Sequence, residues 1–288
     1  MYKYRKVILQ IIKDEHDYLD YWIQYHSKLG FDFILIEDYF SESHEEICNK
    51  YDNVTLIKLF DFLSPHRIDN VKQGEFRQYT ILEEFVDKNC TGMYDYDVCL
   101  FIDPDEYLIN CDLYSLNIIC KKLLKEKNVP AYLIKWKWMT SNDKNVILDE
   151  NPDLSIPVYE RFKDNVILYT STGKEKYETK MLINLRFFDN YDKLCIYKYN
   201  KDYYQHTSVP HYLIDSKNID NIYIHHYCTN SIKEYIKRLV YKGEMTNEDF
   251  KRKLDFFYEI NNNYKTEIND YLIKHNLQNI ITKTNIFI

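Results

Sequence analysis

An α/β fold on a mostly parallel sheet is the class this chain predicts, and three observations carry it. Short apolar runs alternate with amphipathic stretches through the first half, the pattern of strands joined by crossover helices. Three of those runs end in acid: Lys13-Asp14-Glu15, Glu37-Asp38 and Asp103-Pro104-Asp105-Glu106. With 288 residues, 45% of them hydrophobic, the chain can also bury a full core, as one large domain or one domain with an appendage.

The elements follow in order. A first strand spans Lys6 to Ile12, and Glu15 to Leu29 carries Tyr18, Leu19, Trp22, Ile23, Tyr25 and Leu29 at helical spacing, with Gly30 as C-cap. A second strand, Phe31 to Ile36, leads to the capping box Ser43-x-x-Glu46 of a short helix through Lys50, then a third strand, Val54 to Leu59. A polar loop from Asp61 to Lys72 precedes a helix over Gly74 to Lys88. The apolar run Val98 to Ile102 is a fourth strand, and Tyr114 to Lys127 a further helix.

After Ala131 short strands take over: Ala131–Trp138, Val158–Phe162, Val166–Thr170, Lys180–Phe187, Leu194–Tyr199 and Asn221–His226. Helices over Ser231–Lys242, Asn247–Asn262 and Thr266–His275 close the chain. We expect residues 1–245 to form the main domain, with a nucleotide-binding half over 1–130, an acceptor half over 131–245 and a helical extension over 246–288.

Composition narrows the function. A formal charge of −7, with both signs interspersed, leaves no footprint for duplex nucleic acid. Seven cysteines with no C-x-x-C spacing argue against a disulfide framework or a zinc knuckle. Cys99, Cys120 and Cys195 lie in apolar runs and read as buried thiols in a reducing compartment. The basic start has too short an apolar run for a signal peptide, and nothing is long enough to span a membrane. A cytoplasmic protein is expected. The 29 tyrosines and abundant Lys, Asn and Ile fit an AT-rich bacterial or viral genome.

The acidic strand ends carry the chemistry. Asp-x-Asp is a chance-level pattern in a chain of this length, and Asp95-x-Asp97 matches it too. Asp95-x-Asp97 precedes its strand and reads as a solvated turn, whereas Asp103-Pro104-Asp105 follows it, at the edge where open sheets bind ligands. Paired oxygens there suit Mg or Mn, which clamps a diphosphate. Asp14, Glu15 and Asp38 join that edge, or else cap the elements that follow.

His226 closes the run Tyr223-Ile224-His225-His226 and can complete a coordination sphere. Lys180, Arg238 and Lys242 can meet diphosphate charge, or lie solvated on the surface. Trp136 and Trp138 share a strand face, as a sugar platform or as core. By alternation Glu106 points away from the metal and braces the turn.

Lys13-Asp14-Glu15 followed by Tyr18-Leu19-x-Tyr21-Trp22-x-x-Tyr25-His26-x-x-x-Gly30-Phe31, then Phe101-Ile102-Asp103-x-Asp105-Glu106-Tyr107, then His226-Tyr227-x-x-x-Ser231-x-x-Glu234-Tyr235 resembles glycosyltransferase family 92 and related family 2-like enzymes. The resemblance spans roughly residues 5 to 245. It implies a GT-A fold, a UDP-sugar donor and Mn2+ or Mg2+. It makes Asp103 and Asp105 the metal and diphosphate (DxD) motif, with His226 near the diphosphate. Lys13, Asp14, Glu15 and Asp38 fall at the base and ribose end, and Lys180 matches a lysine that opens a strand. Asp14 replaces the usual Asn, Tyr107 the usual Phe and Asn230 the usual Lys.

The family outcome implies inversion, with a carboxylate deprotonating the acceptor hydroxyl. Asp143 and Glu160 are the candidates for that base. The expected function is therefore metal-dependent hexosyl transfer from a UDP-sugar to a glycan or glycoprotein acceptor. A degenerate glycan-binding domain and a metal-dependent phosphohydrolase are the alternatives.

Overall fold

The computed structural model describes residues 4–39, 41–72, 77–126, 129–169, 175–176, 179–190, 217–219, 221–228, 230–241 and 247–275. The chain divides into two compact units, residues 1–136 with 177–225, and residues 137–176 with 226–288.

The first unit is built on strands rich in β-branched and aromatic residues. β1 (Lys6–Ile12) pairs in parallel with β2 (Phe31–Glu37), which pairs in parallel with β3 (Val54–Lys58). On the other side of β1 lies β4 (Val98–Leu100), again parallel, so that Ile8 stands opposite both Phe33 and Leu100. Between these strands run α1 (Leu19–Lys28), α2 (Glu45–Cys48), α3 (Leu59–Phe62), α4 (Pro65–Lys72) and α5 (Arg77–Cys90). In chain order there follow β5 (Glu106–Ile109), α6 (Leu113–Lys125) and β6 (Ala131–Thr140), and then, in the second unit, α7 (Lys144–Ile147), α8 (Val158–Arg161) and β7 (Asp164–Val166). The hairpin β8 (Leu168–Tyr169) and β9 (Glu175–Lys176) precedes β10 (Thr179–Asn184), β11 (Lys217–Asn218) and β12 (Tyr223–His226).

The sheet runs β3-β2-β1-β4-β10-β6-β12-β5, with β10 antiparallel to both β4 and β6. This is the α/β, GT-A-like arrangement expected, a mixed sheet with four parallel strands flanked by helices. Val7, Leu9, Ile34, Ile36 and Cys99 pack with Ile81 and Phe85 of α5 into one core. Gly30 ends α1 at φ +77°, a left-handed conformation that favours glycine.

In the second unit β7 extends β6 through the pairing of Trp138 with Val166. The closing helices are α9 (Ile232–Tyr241), α10 (Asn247–Ile260) and α11 (Lys265–Lys274). Thr140 Oγ1 donates to Asn261 Oδ1 at 2.6 Å, fastening β6 to the end of α10. Ser231 and Glu234 form a reciprocal capping box at α9: the Ser231 amide donates to Glu234 Oε2, and the Glu234 amide to Ser231 Oγ. Arg161 grips the same Glu234 in a bidentate pair at 3.0 and 2.8 Å. The Ser231-x-x-Glu234 stretch of the family resemblance is thus scaffolding here.

Several elements differ from the sequence reading. The expected polar loop over Asp61–Lys72 contains helix α4, because Pro65 sits at the first helical position, where its missing N–H is no loss. Within the expected strand Val158–Phe162, residues Val158–Arg161 form helix α8; Val158 and the C-cap Phe162, four apart, are both buried. Ser43 does not close the expected capping box, since His44 is the N-cap of α2. The strand β5 lies in a stretch assigned no element. The run Leu194–Tyr199 and Cys195 lie outside the described residues, whereas Cys99 and Cys120 are buried free thiols whose pKa values burial pushes up, to about 12 at Cys120. Among the described residues no helix is long and apolar enough to cross a membrane.

Candidate active site at the carboxyl edge of the parallel strands

The acidic turn begins where β4 ends. Its backbone closes on itself, with the Glu106 amide donating to the Asp103 carbonyl and the Asp103 amide donating to Glu106 Oε2, both at 2.9 Å. Glu106 therefore braces the turn from a fully buried position. Asp103 Oδ1 accepts from Gln10 Nε2 of β1 at 2.7 Å. Asp103 Oδ2 accepts from Lys180 Nζ of β10 at 2.9 Å, and the same ammonium lies 3.3 Å from Glu106 Oε2. Burial by itself would lower the pKa of Lys180, but Asp103 and Glu106 hold it above the usual lysine value. The Trp136 ring completes the setting, its centroid 5.0 Å from Nζ.

The strand after the turn is clamped from α1. Trp22 Nε1 donates to the Glu106 carbonyl, Tyr25 Oη donates to the Leu108 carbonyl, both at 2.9 Å, and the Leu108 amide donates to His26 Nε2 at 3.3 Å. Since Nε2 accepts, the His26 proton sits on Nδ1 and is donated to the Trp22 carbonyl at 3.0 Å. Among the described residues β5 ends the sheet order, and three side chains of α1 bond its backbone groups. The Trp22-x-x-Tyr25-His26 stretch thereby holds the acidic turn in place. Trp22→Phe would leave the Glu106 carbonyl buried without its donor. Chemical denaturation should show a loss of about 1–3 kcal/mol.

The first and second strand ends are laced together. Asp14 takes φ 54°, a left-handed conformation that Asn and Asp tolerate. Its amide donates to Ser41 Oγ at 3.1 Å, and its Oδ1 accepts from the Glu42 amide at 3.2 Å. Asp38 is buried, its amide donating to the Ile12 carbonyl at 2.9 Å, and Lys13 is half-buried. Glu15 is buried, and its amide donates to His44 Nε2, whose Nδ1 is 3.0 Å from Glu37 Oε1. Lys58 pairs with the other oxygen of Glu37. Burial, with His16 stacked alongside, lowers the His44 pKa to about 4.

The remaining candidates are more scattered. Trp138 is 3% exposed, a core position, whereas Trp136 is half-buried. Asp143 is exposed and caps α7, its Oδ1 accepting from the Asn145 amide at 2.9 Å. Glu160 is exposed on α8. His226 ends β12, half-buried, and Arg238 lies in α9; Lys242 lies outside the described residues. Asp95 stays a surface acid paired with Arg5, and Asp97 accepts from the Arg5 amide at 2.9 Å.

The residues as placed do not fit a divalent ion at Asp103. Its Oδ2 is occupied by the Lys180 ammonium, and a metal bound at Asp103 would stand beside that ammonium, like charge against like charge. Asp105 is 5% exposed, and among the described residues no three His, Cys, Asp or Glu side chains gather as a metal site.

A scan of protein-family models and a search of curated proteins match nothing. Among solved structures, the chain is similar to a 4-diphosphocytidyl-2C-methyl-D-erythritol synthase at 11% identity and TM-score 0.41, covering 83% of this chain and 100% of the other. It is also similar to galactosyltransferase LgtC in complex with donor and acceptor sugar analogs, at 15% identity and TM-score 0.34, covering 84% and 98%. Scores this low carry no argument about activity; the assignment of the fold rests on strand order and register.

Two residues of the edge escaped the sequence reading. Gln10 left a signal, as the one amide inside the apolar run Lys6–Ile12. His44 left none, because what joins it to Glu15 is the approach of two loops 29 residues apart.

Proposed function

We propose that the chain is a nucleotide-sugar-dependent glycosyltransferase that moves a hexose from a UDP-sugar to a glycan or protein acceptor with inversion. The observation that carries this reading is the convergence of acid from β1, β2 and β4 on one sheet edge, with the Lys180 ammonium among it. Donors and acceptors of both signs at that edge suit a ligand with hydroxyls at its ends and a diphosphate between.

Lys13, Asp14, Glu15 and Asp38 would read the nucleoside, Asp103 and Asp105 the sugar hydroxyls, Lys180 the phosphate, and Trp136 the acceptor. In the transfer, an acceptor O–H gives its proton to a carboxylate, and its oxygen bonds to the anomeric carbon. The bond from that carbon to the phosphate oxygen breaks, and its electron pair leaves with the diphosphate. Asp143 and Glu160 are the candidates for the base.

The test is calorimetric titration with UDP, followed by release of UDP from UDP-hexoses on an acceptor panel. Lys180→Gln is expected to lower turnover by about 10²–10³-fold, the usual loss for one preorganised donor at a developing negative charge. Absence of binding to any nucleoside diphosphate would overturn the reading.

A further inference from the structure

Lys180 is the second residue of β10, which runs antiparallel to β4 with Leu182 opposite Leu100. Counting two residues back places Lys180 beyond the carboxyl end of β4, where the acidic turn begins. Its side chain is 7% exposed, yet it is ringed by Asp103, Glu106 and the face of Trp136. A carboxylate that is to hold a divalent ion must offer it a lone pair free of competing cations. At Asp103 that competing cation is present: the Lys180 ammonium is on Oδ2, while the neutral Gln10 amide donates to Oδ1.

We propose that Lys180 is the resident cation of this site, and that nucleoside diphosphate binds beside Asp103 without a divalent metal. The inference rests on the nucleotide-sugar reading above and sharpens it. Of the two carboxylates on the ammonium, Glu106 is sealed from solvent, whereas the Asp103 side chain is 28% exposed. A ligand therefore reaches the ammonium from the Asp103 side, and Glu106 keeps the charge anchored. An ammonium has three donors, so with one on Asp103 and one toward Glu106 the third can meet a phosphate oxygen while both carboxylates keep their partner. Trp136 limits the water that competes for it.

Calorimetry on the full chain decides the matter, with UDP as probe and GDP and CDP beside it, first in EDTA and then in MnCl2. The expected result is UDP binding in EDTA, with an affinity within about threefold of that in Mn2+, a difference under 1 kcal/mol. Lys180→Gln should weaken UDP by about tenfold or more in EDTA, as one charge-assisted contact is lost. Because the substitution frees an oxygen of Asp103, Mn2+ should then restore part of the affinity, a rescue that a purely structural lysine would not produce.

UDP binding by the wild type only when Mn2+ is present overturns this inference and leaves the transferase reading standing. No nucleotide binding in either buffer overturns both. Should Lys180→Gln fail to fold, the wild-type comparison of EDTA with Mn2+ still decides, and Lys180→Arg, which keeps the charge, should bind UDP in EDTA.

Discussion

Glu106→Leu should destabilise the protein by about 3–5 kcal/mol, the range for breaking a buried ion pair from one side. Glu106 is fully buried, and its Oε2 takes both the Asp103 amide and the Lys180 ammonium. Removing it leaves that ammonium buried with Asp103 as its one carboxylate, and the turn loses the acceptor that closes it. Urea denaturation followed by tryptophan fluorescence measures the loss. The double substitution Glu106→Leu with Lys180→Met should recover part of it, since an apolar pair no longer buries a charge. A single-variant loss under about 0.5 kcal/mol, the size of an ordinary surface change, would show that the cluster does not hold the turn.

Stability should also fall as the solution is acidified from about pH 6.5 to 4.5. His26 is fully buried and neutral, and burial lowers its pKa from 6.5 to about 3, against the opposing pull of the Trp22 carbonyl. In the unfolded chain the imidazole takes up a proton below 6.5, whereas in the folded chain it does not until about 3. The unfolded state thus binds more protons throughout that window, and unfolding gains ground as pH falls. At about 1.4 kcal/mol per unit, the loss from His26 is roughly 2–3 kcal/mol two units below its ordinary value. His44, lowered to about 4, acts in the same direction. His26→Gln should flatten the dependence of unfolding free energy on pH by one proton's worth. An unchanged slope in that variant would show that His26 titrates normally.

The acidic turn shows how far the sequence reading reached. Asp103-Pro104-Asp105 was set apart from Asp95-x-Asp97 by its place after a strand, and β4 does deliver it to the edge shared with β1 and β2. Glu106 braces the turn as expected, but it does so on the same Lys180 ammonium as Asp103 and does not point away from it. The helical spacing of Trp22, Tyr25 and His26 was equally plain, but their task was not: they reach backbone groups more than eighty residues away, on a strand the apolar pattern did not mark. Glu160 fell on a helix in place of a strand, because a buried pair four apart satisfies either period in so short a stretch.

By itself the sequence determined the α/β class, the run of parallel strands and the acid at their ends, because propensity and hydrophobic period act over a few neighbouring residues. Only the tertiary structure decided what that acid meets. Lys180 and Asp103 stand 77 residues apart, and the antiparallel register of β10 on β4 brings ammonium to carboxylate. A shift of one residue would turn Lys180 to the other face of the sheet. The charge state of the site is therefore a property of strand pairing, which no local pattern of residues contains.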